Sequence, residues 1–265
     1  MEQSPINWGR PRDDIYGHYS DAISQAPNTH SLPKKHTQQP TVTGSSVIGI
    51  KFDKGVIVAA DTLASYGSLA RFDNMDRLTQ VGDSTIVGIG GDVSDMQYVQ
   101  RLLEELEIEE NYDNSGDQSL HSENIFNYLS KVYYNRRSKM DPLWNAVLVG
   151  GVDSKDEPFL SHVDLLGVTF SSPALATGFG AYLALPLLRQ LVPYPDSYKN
   201  VTEADARAMV EKCMKVLFYR DARSIDKYDV ATITKGNVKI EKDIKCKDQN
   251  WRFAEDIRGY GRTTS

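Results

Sequence analysis

The character of the chain changes at Gly44, and that change limits what it can fold into more than any other feature. Residues 1–43 hold Pro5, Pro11, Pro27, Pro33 and Pro40 among scattered Ser, Asn, Gln and Gly. No helical or strand period survives there for more than a few residues. The stretch reads as an extended leader: a loose tail, or a prosegment or arm that docks on a partner. From Gly44 the pattern is different. Residues 45–52 and 56–60 have strand composition and flank the turn Asp53-Lys54-Gly55. The second run is apolar on both faces, which requires burial between two layers.

The rest alternates in blocks. A third strand is expected over 85–89. Ser94 is placed to cap a helix, with Gln97 completing a capping box and Met96, Val99, Leu102, Leu103 and Leu106 forming its stripe. Its far end, from Glu104 to Glu110, opposes the helix dipole and is expected to be exposed and frayed. A second helix starts near Ser122, buries Ile125, Phe126, Leu129, Val132 and Tyr133, and stops before Pro142. Strands follow over 145–151, 159–163 and 165–170. Pro186 either kinks a helix over 181–191 or delays its start. Thr202 and Asp205 open the clearest helix, with Ala206, Val210, Cys213 and Leu217 inward. A hairpin over 230–240 closes the order. Helices grouped between strand blocks suit an α+β fold of two stacked antiparallel sheets between helix layers.

Composition removes several functions. The 30 Lys and Arg against 36 Asp and Glu leave a net charge of -6, so no broad basic surface exists for nucleic acid. Two cysteines, Cys213 and Cys246, make no disulfide framework, and none of the five histidines stands at zinc-ligand spacing from either. No run approaches 18 apolar residues, and the opening Met1-Glu-Gln-Ser-Pro has no apolar stretch, so no transmembrane helix and no secretory signal are expected. Glycine fingerprints for dinucleotides are incomplete at Gly88-x-Gly90-Gly91 and Gly178-x-Gly180. No cofactor and no metal is expected, nor a membrane partner. The basic run Arg136-Arg137-Ser138-Lys139 is a solvated helix end or a contact for an acidic partner surface.

The run from Gly44 through Phe52, then Gly55 through Asp61, resembles the opening of proteasome β-type subunits, which are N-terminal-nucleophile hydrolases. The resemblance continues through Gly90-Gly91-Asp92, Arg136 to Met140 and Tyr219 to Ser224, and spans roughly 37–260. It implies a four-layer αββα sandwich over 45–245. It also implies a prosegment over 1–36 cut between His36 and Thr37, a retained extension over 37–44, and a tail over 246–265. In that tail, Trp251, Phe253, Ile257 and Tyr260 are expected to contact neighbouring subunits. The implied partners are the other α and β subunits of a four-ring particle of twenty-eight chains, and assembly chaperones while the chain is a precursor. The implied location is cytoplasm and nucleus.

Active members of that family attack with a threonine hydroxyl whose own free amine moves the proton. Carried over by the resemblance, Ser45 stands at the nucleophile position, Asp61 at the first aspartate, Gly91 at the oxyanion glycine, and Asp221 and Ser224 at the later pair. Arg77 occupies the lysine position, and Phe179 replaces a small hydroxyl residue after Thr177-Gly178. A guanidinium stays protonated in any protein environment and cannot shuttle a proton. If eight residues remain ahead of Ser45, its nitrogen is an amide without basic character. The expected reading is a non-catalytic ring subunit, in which Arg77 bridges Asp61 and Asp221. The alternative is an active endopeptidase using Ser45.

Overall fold

The computed structural model describes residues 39–113 and 120–255. The chain enters through β1 (Val42–Gly44), β2 (Val47–Phe52) and β3 (Gly55–Asp61). Three short strands follow, β4 (Ala64–Tyr66), β5 (Leu69–Phe72) and β6 (Leu78–Val81), then β7 (Thr85–Asp92). Helices α1 (Val93–Asp113) and α2 (Ser122–Ser138) lead to β8 (Asn145–Val152), β9 (Pro158–Asp164), β10 (Thr169–Ser171) and β11 (Ala174–Ala176). Next come α3 (Gly180–Leu183), α4 (Leu185–Leu191) and α5 (Glu203–Arg220). The hairpin β12 (Lys227–Thr234) and β13 (Asn237–Lys245) and the single turn α6 (Arg252–Glu255) complete the order.

The strands form two antiparallel sheets. The larger runs β10-β9-β8-β7-β1-β4-β5, with β6 also on β7; the smaller runs β11-β2-β3-β12-β13. Period-two alternation in β3 explains its doubly apolar sequence. Val56, Val58 and Ala60 enter the layer between the sheets with Ile86, Leu148 and Leu160. Ile57 and Ala59 point the other way, into a core shared with Leu188, Val210, Cys213 and Leu217 of the helices. A third core joins Met96, Val99 and Leu103 of α1 and Ile125, Leu129 and Tyr133 of α2 to Val87, Val147 and Val149 of the larger sheet. Two sheets inside two helix layers make the expected αββα sandwich.

Several local expectations are corrected. Ordered backbone begins before Gly44: β1 lies inside the larger sheet, between β7 and β4. Three-residue and four-residue strands over 64–81 are too brief for a period to register in the sequence. Ser94 does not cap α1. Asp92 accepts the Asp95 N–H at 3.1 Å through Oδ2, and the Ser94 hydroxyl donates to that same oxygen. Residues 165–168 form a turn rather than a strand. Asp164 Oδ1 accepts from the Leu166 and Val168 N–H groups at 2.9 and 3.0 Å, and Gly167 has a φ of 75°. Pro186 neither kinks nor delays one helix; it sits in the first turn of α4, a separate helix directly after α3, where its missing N–H matters least.

The sheets approach closely where a strand carries no side chain. A Cβ on Gly150 would stand 2.7 Å from Val58 Cγ2 and 3.1 Å from Val56 Cγ1 across the gap. Gly150→Ala is therefore expected to overpack this layer and lose about 1–3 kcal/mol, read as a lower unfolding midpoint.

Candidate functional site

The residues singled out at the nucleophile position and around it meet at one end of the sandwich. Ser45 and Ser46 link β1 of the larger sheet to β2 of the smaller one, so the chain crosses between sheets there. Asp61 is the last residue of β3, Arg77 immediately precedes β6, and Asp221 and Ser224 follow α5.

Arg77 is 1% exposed and sits among them. Nη1 donates to Asp61 Oδ1 at 2.5 Å and to the Asp61 carbonyl at 3.2 Å. Nη2 donates to the Ser45 carbonyl at 2.5 Å and the Ser46 carbonyl at 3.1 Å. Nε donates to the Ile89 carbonyl at 3.3 Å. The expected bridge to Asp221 is not made: among the described residues the guanidinium pairs with Asp61 alone. Asp221 Oδ2 instead accepts the Ser45 hydroxyl at 2.5 Å, while its Oδ1 accepts the Arg223 N–H at 2.9 Å. Four carbonyls and one carboxylate oxygen already surround the guanidinium, which leaves the second aspartate free for the serine.

Burial pushes the Asp61 carboxyl up to about 6, with the Arg77 charge opposing that rise. The same burial pulls Arg77 down from its ordinary value, and Asp61 opposes it. Asp61 Oδ2 is buried without a hydrogen bond. Neither Asp61 oxygen is the partner of the Ser45 hydroxyl, so this raised carboxyl is no base for it. Ser224 Oγ lies 2.9 Å from the Leu217 carbonyl and 2.7 Å from that of Asp221, where it closes the end of α5.

On the other side of Ser45 lies an open cleft of about 340 Å³, walled by Thr43, Gly44, Gly90, Gly91, Thr177 and Phe179. Gly91 has a φ of 93°, and a Cβ there would meet the Trp144 carbonyl at 2.2 Å. Asn145 Nδ2 holds this stretch by donating to the Gly90 and Asp92 carbonyls at 3.0 and 2.9 Å. The extension ahead of Ser45 is part of the wall. Gly44 stands opposite Gly91 on one side and Ala64 on the other. Asp92 Oδ1 accepts the Thr41 N–H at 3.1 Å. That anchoring role of Asp92 was missed in the sequence, where only its place after Gly90-Gly91 marked it.

Of the described histidines, His121 caps α2 and His162 stacks on Phe170; neither lines the site. No His, Cys, Asp and Glu group among the described residues is placed to hold a metal. His36, Thr37, Ile257 and Tyr260 lie outside the described residues. Trp251 and Phe253 pack first on their own chain: the Trp251 ring lies 5.0 Å from Tyr219 and 5.5 Å from Phe218, and Phe253 5.7 Å from Tyr219. Both keep close to half their surface open, at 43% and 44%.

The family described as Proteasome subunit matches residues 41–233, most of the chain and all of this site. The chain belongs to the proteasome subunit family. It is 49% identical over 265 residues to proteasome subunit beta type-7 of Saccharomyces cerevisiae, covering 98% of each chain. It is 50% identical over 259 residues to a probable beta type-7 subunit of Schizosaccharomyces pombe, covering 97% of this chain and 96% of that one. To proteasome subunit beta type-4 of Xenopus laevis it is 46% identical over 228 residues, covering 86% and 92%. As a proteasome subunit it is a member of a multi-subunit complex, with the N-terminal-nucleophile fold. It is of the non-catalytic β type, and the geometry is in keeping with that: a fully engaged guanidinium stands where the chemistry needs a proton carrier.

Two substitutions probe this arrangement. Arg77→Met strands the buried Asp61 carboxylate and is expected to lower stability by about 3–5 kcal/mol in denaturant unfolding. Gly44→Ala places a Cβ 2.6 Å from Arg77 Nε and is expected to lower the unfolding midpoint by displacing that same side chain.

Proposed function

We propose that this chain is a structural β subunit of the 20S core particle. It completes a seven-membered β ring in a four-ring particle of twenty-eight subunits, walls the proteolytic chamber and assists the joining of half-particles. The process served is ubiquitin-dependent and ubiquitin-independent protein degradation in cytoplasm and nucleus. As a precursor it is met by assembly chaperones, and it is trimmed between His36 and Thr37, so that residues 37–44 stay attached.

The observation that carries this reading is the place of β1. Lying between β7 and β4, it connects the β4–β5 hairpin to the rest of the larger sheet. A chain starting at Ser45 would lose that connecting strand and the anchor of Thr41 on Asp92. Retention of the extension thus serves the sheet, and it keeps the nitrogen of residue 45 in a peptide bond. One observation favours the alternative of an active endopeptidase: the Ser45 hydroxyl already donates to a carboxylate, Asp221.

Intact mass of the chain in purified particles, with a peptide epoxyketone or boronate as trap, separates the two. The expected result is a mature chain beginning at Thr37 with no adduct on Ser45, and no peptide hydrolysis gained from Arg77→Lys. A mature chain beginning at Ser45 and carrying the adduct would establish the alternative.

A further inference from the structure

The helix layer over the smaller sheet is incomplete. α5 packs on β2 and β3, and α4 on α5 and β11. Beyond α5, the outer face of the β12–β13 end forms the floor of a groove of about 460 Å³, with Tyr228, Ile244 and Cys246 along it. One wall is the flank of α5; the other is the end of β13 and the chain just after it.

The rim of this groove is basic in a chain whose net charge is -6. Lys212 and Lys215 project from α5, and Lys245 and Lys247 from the opposite wall. None of the four has an ion-pair partner among the described residues. Two of the three acids of the groove are already spent. Arg207 grips Glu241 with both terminal nitrogens, at 3.0 and 3.2 Å, and Glu211 through Nε at 3.2 Å. Asp248 is the remaining carboxylate. Four ammonium groups thus face one free acid above a partly apolar floor.

The geometry points to a docking groove for an acidic segment of another subunit, with carboxylates on the lysine rim and an apolar side chain over Tyr228 and Ile244. Charge complementarity sets the sign of the occupant. The chain's own last ten residues fit poorly, because they carry Arg258 and Arg262 against a single acidic side chain, Asp256. The need for an outside partner rests on membership of a multi-subunit complex, which the chain's presence in purified particles tests separately.

Zero-length carbodiimide cross-linking of intact particles, followed by peptide mass spectrometry, tests the groove. The expected result is amide links from at least two of Lys212, Lys215, Lys245 and Lys247 to Asp or Glu of a different subunit. Acetylation of those lysines is expected to be roughly tenfold slower in the particle than at exposed Lys54, which corresponds to about 1.4 kcal/mol of protection. The links are expected to disappear in the fourfold Lys→Ala variant, with the chain still incorporated. Links confined to carboxylates of this same chain, its tail included, would overturn the proposal. So would four lysines that acetylate as fast as Lys54.

Discussion

A guanidinium taken out of water is expensive unless every donor it carries finds an acceptor. Arg77 carries five N–H donors, and the structure supplies five oxygens for them: those of Ile89, Ser45 and Ser46, and two from Asp61. Only one of the five bears a charge, so the pair is neutral and the rest of the fork is spent on backbone. Those backbone groups belong to β7, to β3 and to the link between β1 and β2. A single side chain therefore ties the point where the chain passes from one sheet to the other. A lysine, with three donors on one nitrogen, has no geometry that reaches the same set.

This clamp gives Gly44 a second reason to be glycine. In a processed enzyme a glycine there is a cleavage residue. Here the Arg77 side chain lies where any Cβ on residue 44 would be, with Nε, Cζ and Cδ all within 3.2 Å. The replacement that removes the proton carrier also fills the space beside the would-be scissile bond. The inactivity and the joint between sheets are two aspects of one packing arrangement.

Long periodic elements were legible in the sequence. β3 reads as doubly buried because Val56 to Ala60 is apolar throughout, and α5 because Thr202 caps it and its stripe repeats cleanly. β1, β4 and β5 were not legible. Each is three or four residues long and takes its place from sheet partners distant in sequence, as Thr43 does from Asp92 and Ser65. The turn at 165–168 was hidden for a related reason: Leu165, Leu166 and Val168 are apolar, yet the Asp164 side chain, not hydropathy, sets the backbone there. The identities of the site residues came through the resemblance. Their pairing did not, because nothing in a sequence says which of two aspartates a buried arginine will choose.

The persistence of Asp61, Gly91, Asp221 and Ser224 around an inactive residue has a physical basis that needs no chemistry. Asp61 neutralises the buried guanidinium. Gly91 holds a φ of 93° with a carbonyl in the space of its Cβ. Asp221 takes the Ser45 hydroxyl and the Arg223 N–H, and Ser224 closes the end of α5. Each would be costly to replace in a chain that never cut a peptide bond. The polar cluster is therefore weak evidence for catalysis, and what separates an active site from a structural joint is a proton carrier: Arg77 cannot serve as one, and the nitrogen of residue 45 does so only as a free amine. A free amine on residue 45 makes the Ser45 hydroxyl a nucleophile with a base beside it. Within a peptide bond, that nitrogen belongs to the link between β1 and β2, and the hydroxyl is one more hydrogen bond holding that link to the end of α5.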